Sequence, residues 1–157
     1  MKFALITIGN EIISDLTKNT NSRWISKKLN QLGCELCFRI TIKDDKVSIT
    51  NALEYLITQN LDYVITTGGL GPTKDDKTKD ALNDFLLSNR TLKPTKNNTE
   101  SIHLKKISNV NLQASNIKYV ENKLGTANGI WLNHLGINII ALPGVPDEMK
   151  MMMKKSL

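Results

Sequence analysis

The sequence predicts an α/β fold on a parallel sheet, and three observations carry that prediction. Short apolar, β-branched runs alternate with segments whose apolar residues recur at helical spacing, the pattern of strand–helix–strand units with right-handed crossovers. One junction, Thr66 to Thr78, is a glycine-rich strand-to-helix loop reading T-T-G-G-L-G-P-T-K-D-D-K-T. Acidic residues follow each of the first three strands, at the sheet edge where open α/β folds bind ligands. At 157 residues the chain is expected to form one domain.

Taken in order, Phe3 to Ile8 reads as a first strand that runs into Gly9-Asn10-Glu11. Asn19 to Ser22 offers N-caps for a helix carrying Trp24, Ile25, Leu29 and Leu32, and Gly33 stops it. A second strand spans about Cys34 to Ile42, and Lys43-Asp44-Asp45 leads into a helix with Ile49, Leu53, Leu56 and Ile57 on one face. Strand three, Tyr63 to Thr66, enters the glycine loop, and the helix beyond it, marked by Ala81, Leu82, Phe85 and Leu86, ends near Leu87. Residues 88–117 are rich in Asn, Lys, Ser and Thr around Pro94, with Ile102, Leu104 and Ile107 suggesting a partly exposed helix. Lys118 to Val120 is a candidate edge strand, and Leu124 to Gly129 is a second glycine loop. Ile130 to Leu132 and Ile137 to Leu142 read as strands joined through Asn133-His134-Leu135-Gly136, a hairpin signal. Pro143 to Pro146 turns the chain, and Asp147 is expected to cap a last helix through Met149, Met152 and Met153, whose C-terminal end suits Lys154 and Lys155.

The central loop has the chemistry of an anion site. Gly68, Gly69 and Gly71 permit positive φ and close approach of the backbone to a ligand, while Pro72 stiffens the far side. The helix that follows offers unpaired N–H groups and the positive end of its dipole, a combination suited to phosphate. Asp75 and Asp76 would repel that phosphate unless a divalent cation lay between. The plainer alternative makes one of the pair, Asp76 in preference, the helix N-cap.

Composition narrows the partners. The net charge of +6 favours anionic ligands in general. Aromatic residues are only 5% and the lysines are dispersed, which is not the clustered, stacking surface of a nucleic-acid binder. No apolar run approaches the ~20 residues needed to span a bilayer, and Met1 to Ile6 reads as a strand and not as a signal peptide, so no membrane partner and a cytoplasmic location are expected. Cys34 and Cys37 form a C-x-x-C inside a strand-like run, where residues three apart face opposite ways, so a structural role without a mutual disulfide is expected. His103 and His134 fall on expected surface segments and are assigned no role. Met149, Met151, Met152 and Met153 exceed what one buried stripe needs, a local reason to expect a homo-oligomer.

The order of short motifs then adds a family resemblance. I-G-N-E-I-I at Ile8 to Ile13, N-T-N at Asn19 to Asn21, the central glycine loop, G-T-A-N-G at Gly125 to Gly129 and L-P-G-V-P-D-E-M at Leu142 to Met149 resemble the N-terminal domain of the competence/damage-inducible CinA family, of the molybdopterin-binding, MoaB/MogA-like superfamily. Asn111-Leu112-Gln113-Ala114 is similar to a further, weaker family segment. The resemblance implies a three-layer α/β/α sandwich with a mostly parallel central sheet, a homo-oligomer, and a divalent-metal-dependent ADP-ribose pyrophosphatase activity. The separate C-terminal deamidase domain that such proteins often carry is not expected within these 157 residues, nor is its activity. The chain departs from the family pattern at Asn10, Lys43 and Asn128, the last standing where Pro is usual.

Residues and resemblance together give a leading expectation: hydrolysis of a nucleotide pyrophosphate, with ADP-ribose yielding AMP and ribose 5-phosphate. Asp75, Asp76 and Glu11 are the candidate catalytic residues, and the same three with Asp44 the candidate ligands of Mg²⁺ or a similar cation. Gly68, Gly69, Leu70, Gly71, Thr73, Lys74 and Thr78 are candidates to hold the phosphates, although Lys74 also reads as an exposed loop lysine and Glu11 as a solvated carboxylate. Asn21, Gly125, Thr126, Gly129, Pro143 and Gly144 complete the expected substrate pocket. The alternatives are binding of, or adenylyl transfer to, a pterin phosphate of molybdenum cofactor biosynthesis, and a non-catalytic nucleotide-binding module.

Overall fold

Alternation along the strands places the core. In β1 (Lys2–Ile8), Ala4, Ile6 and Ile8 turn to one side and Phe3 and Leu5 to the other, and all five are buried. A strand buried on both faces needs a layer of helices on each side. The computed structural model describes residues 1–90 and 117–156. After β1 these form α1 (Asn10–Ile13), α2 (Thr20–Gln31), β2 (Glu35–Ile42), α3 (Lys46–Ile57), β3 (Tyr63–Thr67) and α4 (Thr78–Arg90). Beyond residue 116 follow β4 (Ile117–Val120), β5 (Gly129–His134), β6 (Ile137–Leu142) and α5 (Pro146–Ser156).

The six strands form one sheet in the order β2-β1-β3-β6-β5-β4. The pairs β1–β2, β1–β3 and β3–β6 are parallel, whereas β5 runs antiparallel to both β6 and β4. The sheet is therefore mixed but mostly parallel. On one face Ile49, Leu53 and Leu56 of α3 and Ala81, Leu82 and Phe85 of α4 pack on Ala4, Ile6, Val64, Ile139 and Ala141. On the other, Ile25 and Leu29 of α2 and Met149, Met152 and Met153 of α5 pack on Phe3, Leu5, Ile65, Ile140 and Leu142. Each fully buried side chain of this size contributes about 1.5–3 kcal/mol, so both helix layers are tied to the sheet. The three-layer arrangement is the expected one. It puts the C-terminal ends of β1, β2, β3 and β6 along a single edge.

Several expectations need correction. Asn19 caps α2 through Ser22 N–H as foreseen, but Leu32 lies beyond the helix and is exposed. The short helix α1 was not anticipated; its four residues bury nothing, so no apolar periodicity announces it. β2 begins at Glu35, leaving Cys34 just outside it. A register shift opposite Phe3 and Ala4 turns Leu36 toward the α2/α5 layer and Phe38 toward the α3/α4 layer. Simple alternation misses that bulge, yet both cysteines are free, Cys34 half-buried and Cys37 exposed. The hairpin turn is narrower than expected. Leu135 and Gly136 both take positive φ, 51° and 87°, the left-handed pair of a type I′ turn, while Asn133 and His134 stay in β5. His134 is half-buried against the Phe85 ring, with centroids 5.0 Å apart, and not on an open surface.

The last helix corrects two further expectations. Pro146 is its first residue, so Asp147 sits in the first turn, pairing with Lys150 at 3.3 Å, and is not the N-cap. Met149, Met152 and Met153 are fully buried against the chain's own sheet, and Met151 packs on the same cluster. The methionines thus offer no surplus apolar face, and the local argument for an oligomer falls. Pro94, Ile102, His103, Leu104, Ile107 and the Asn111 to Ala114 segment lie outside the described residues.

Candidate functional site

The loops after β1, β2, β3 and β6 converge on a cleft of about 380 Å³. The first contribution comes from Gly9, whose N–H donates to Ile42 O at 3.1 Å and ties the ends of β1 and β2 together. Glu11 folds back over it: a Cβ on Gly9 would lie 2.7 Å from Glu11 Oε1. Asn10, one of the departures from the family pattern, has a local task, since its Oδ1 accepts from Asp44 N–H at 3.3 Å and tethers the loop after β2.

The central loop is fixed by backbone crowding. Gly68 has φ +109°, and a Cβ there would lie 2.0 Å from Ile8 O. Gly69 has φ +64°, and a Cβ there would meet Thr78 Oγ1 at 2.4 Å and Asp44 Oδ1 at 2.8 Å. Only glycine fits either position. Thr78 N–H donates to Gly69 O and Thr78 Oγ1 to Gly68 O, both at 3.0 Å, so the start of α4 is laced to the loop. Asp44 Oδ1 accepts from Lys77 N–H at 3.1 Å. Asp76 accepts from both the N–H and the hydroxyl of Thr73, closing a four-residue turn, and its carboxylate packs on Gly71. The Asp76 side chain therefore caps that turn and not α4, whose first turn is closed by Ala81 N–H on Lys77 O.

The other side of the cleft comes from Pro143 and Gly144 after β6, from Thr126 and Ala127, and from Glu148 in the first turn of α5. Among the described residues, four carboxylates line the cleft, those of Glu11, Asp44, Asp76 and Glu148, and no Lys or Arg does. Crowding registers on Asp44. Burial raises its pKa, the Lys77 N–H opposes that, and the nearby charges of Asp76 and Glu11 raise it further. Among the described residues no three His, Cys, Asp or Glu side chains are arranged as a ready metal cage. The donors fit a hard cation held by one or two carboxylates, with ligand phosphates and water completing its shell, which is how Mg²⁺ is commonly bound.

The structure thus brings together Glu11, Asp44, Asp76, Gly68, Gly69, Leu70, Gly71, Thr126, Pro143 and Gly144 of the expected site. It separates others. Asp75, Thr73 and Lys74 are exposed and outside the cleft lining. Thr78 is fully buried with its hydroxyl committed to Gly68 O, a structural task in place of the expected phosphate contact. Gly129 is buried within β5. Gly125 lies against the Glu148 carboxylate, and Asn21 lines a smaller adjoining cleft of about 120 Å³ that shares Ile8, Glu11 and Gly144 with the first. There Asn21 Nδ2 donates to Thr67 Oγ1 at 3.1 Å and to Gly144 O at 2.7 Å, joining α2 to the loop after β6. Asn122 and Glu148 were missed. Glu148 could have been found, since it follows Pro146 on the ligand-binding edge; Asn122 sends no sequence signal beyond being a loop Asn.

These features define an α/β domain with a cleft at the carboxyl edge of its parallel strands. The chain belongs to the family described as "Probable molybdopterin binding domain", which matches residues 4–157. It is 35% identical to a CinA-like protein of Pseudothermotoga lettingae over 98% of this chain and 38% identical to one of Flavobacterium psychrophilum over 100% of this chain. The chain spans about 40% of the length of these relatives. Its fold matches that of CinA from Thermoplasma acidophilum, a protein described as of unknown function, with a TM-score of 0.77 at 26% identity over 98% of this chain and 94% of the other. It also matches a MoaB described as a molybdopterin biosynthesis enzyme, from Thermus thermophilus, with a TM-score of 0.68 at 17% identity over 98% and 87%. That second likeness is one of fold alone.

Proposed function

We propose that the cleft binds a small phosphorylated ligand of the pterin-phosphate class through a bridging divalent cation. One observation carries the reading. The glycine-rich loop after β3, followed by the start of α4, lies in a cleft lined by four carboxylates and, among the described residues, by no basic side chain. An anionic ligand is repelled there unless a cation intervenes. The family description supports the pterin class. Asp44 and Asp76 are the residues that would hold the cation, with Glu11 at hand, and the cation would neutralise phosphate charge and acidify a bound water. Around it the chain's own groups do the positioning: Gly68 and Gly69 bring backbone close to the ligand, and Pro143 and Gly144 bound the space beside it.

The crowding of Glu11, Asp44 and Asp76 favours a second reading in the same cleft, metal-dependent hydrolysis of a nucleotide pyrophosphate such as ADP-ribose. One experiment addresses both. The purified protein is assayed with molybdopterin, with molybdopterin plus ATP, and with ADP-ribose, each with Mg²⁺ and with EDTA. The expected result is ligand binding or turnover that EDTA abolishes and Mg²⁺, Mn²⁺ or Co²⁺ restores. Full binding and turnover in chelator would sink the cation bridge, and AMP release from ADP-ribose would favour the hydrolase reading.

A further inference from the structure

We propose that Asn122 and Glu148 form a latch that fixes the Gly125–Ala127 wall of the cleft, and so act as positioning residues for its ligand. The proposal rests on the reading of the cleft as a ligand site and adds the device that sets its shape. Asn122 is nine-tenths buried, and its side-chain amide is fully used. Its Oδ1 accepts from Leu124 N–H and Gly125 N–H, both at 3.0 Å. Its Nδ2 donates to Ala127 O at 3.0 Å and to Glu148 Oε2 at 2.7 Å. A primary amide has two donors and one oxygen that takes two bonds, so one side chain folds the whole turn around itself.

The bond to Glu148 connects that turn to the rest of the protein. It is short and charge-assisted, the stronger kind of hydrogen bond. Glu148 precedes Met149, which is fully buried between α5 and the sheet, and its carboxylate sits in the first turn of a helix, where a negative charge is favoured. The wall lies flush with it: a Cβ on Gly125 would come within 2.3 Å of Glu148 Oε1. Asn128 closes the turn from the far side, its Oδ1 accepting from Asn122 N–H at 3.0 Å, which gives this departure from the family pattern a structural use. The chain of contact runs from the core through Met149 and Glu148 to Asn122, and from there to Thr126 and Ala127 in the cleft lining.

The test uses the whole chain and four variants. Asn122→Asp keeps the acceptor but replaces both donors with a charge facing Glu148. Glu148→Ala removes the anchor, Glu148→Gln keeps an acceptor for Asn122 Nδ2, and Asn122→Ala removes the hub. Amide hydrogen exchange reads the wall, calorimetric titration with Mg²⁺ and ADP-ribose or molybdopterin reads the ligand, and thermal melting reads the fold. Asn122→Asp, Asn122→Ala and Glu148→Ala should speed exchange at Leu124 and Gly125 at least tenfold and weaken binding by roughly tenfold, the scale of one lost charge-assisted bond. Any turnover should show the loss in KM and not in kcat. Glu148→Gln should keep the amide protection. Unchanged protection in Asn122→Asp and Glu148→Ala overturns the latch, and so does faster exchange with unaltered affinity. If the unmutated protein binds neither ligand, the functional reading falls and takes the affinity claim with it, whereas the exchange rates still decide whether Asn122 holds the wall.

Discussion

The two rims of the cleft are held by different physics. The Gly68–Asp76 rim is set by backbone sterics: two glycines at positive φ, one of them with no room for a Cβ beside Ile8 O. The Asn122–Ala127 rim is set by one side chain and its hydrogen bonds. The first kind of rim is visible in a sequence, because the backbone demand leaves glycine as its trace. The second is silent, because Asn is an ordinary loop residue and its partner Glu148 lies 26 residues away.

Alanine at one glycine of each rim gives the largest test of that difference. Gly68→Ala places a methyl against a backbone carbonyl and forces a non-glycine residue to φ +109°, and strain and overpacking together should cost roughly 3 kcal/mol. Gly125→Ala meets only the Glu148 carboxylate, which can give way by loosening its bond to Asn122, and should cost roughly 1.5 kcal/mol, the scale of that one bond. Urea denaturation compares the two. Equal costs would show that the rims are held alike.

The paired aspartates sharpen the first rim further. Asp76 lines the cleft and closes the Thr73 turn, while Asp75 is exposed outside it. If the cation reading is right, Asp76→Asn should lower turnover or metal-dependent affinity about a hundredfold, the scale of losing one preorganised electrostatic group. Asp75→Asn should stay within about threefold of wild type, as surface substitutions generally do. Loss of function in Asp75→Asn with Asp76→Asn unharmed would reverse the assignment drawn from the cleft.

What the sequence made legible follows the same division. The alternation of strands and helices, the parallel strands β1, β2, β3 and β6, and the edge where their loops meet all rest on repeated apolar spacing, a signal spread over many residues. Elements without such repetition escaped: α1, which buries nothing, and the register shift in β2. Within the site, Gly68, Gly69, Glu11, Asp44 and Asp76 could be placed because each lies in a stretch that follows a strand at the carboxyl edge of the sheet. For Thr78 the sequence leaves two readings open, because a hydroxyl at a helix start serves a ligand or the loop equally well; in the structure it is buried and donates to Gly68 O.

Neighbouring Asp44 and Asp45 carry the contrast down to adjacent carboxylates. Asp44 is crowded, and its pKa is raised chiefly by burial and then by Asp76 and Glu11. A folded state that holds the proton more tightly than the unfolded chain loses stability as pH rises from about 3.9 through the raised value. At neutral pH, without metal, Asp44 is therefore a liability, and Asn keeps the acceptor for Lys77 N–H. Asp44→Asn should melt a few degrees higher than wild type at pH 7 in EDTA, a scale set by the small entropy of unfolding of such a domain. A lower melting temperature would mean that the charge stabilises the loop.

Asp45 should do the opposite, by a smaller amount. It is the N-cap of α3, accepting from Ser48 N–H and Ser48 Oγ at 2.8 Å each, and those bonds hold its pKa below the ordinary carboxylate value. A depressed pKa means that the folded state prefers the charged form, so its contribution is present above about pH 3.9 and is lost as pH falls through the folded value. Asp45→Ala should lower the melting temperature at pH 7, and the gap to wild type should narrow below about pH 4 as the wild-type carboxylate takes up its proton. Asp45→Asn, an equally good cap without a titrating group, should match wild type at pH 7 and show no such narrowing. Melting curves from pH 7 down to the acid limit of the fold check this, and a gap between Asp45→Ala and wild type that stays constant throughout would show that the cap owes nothing to the charge.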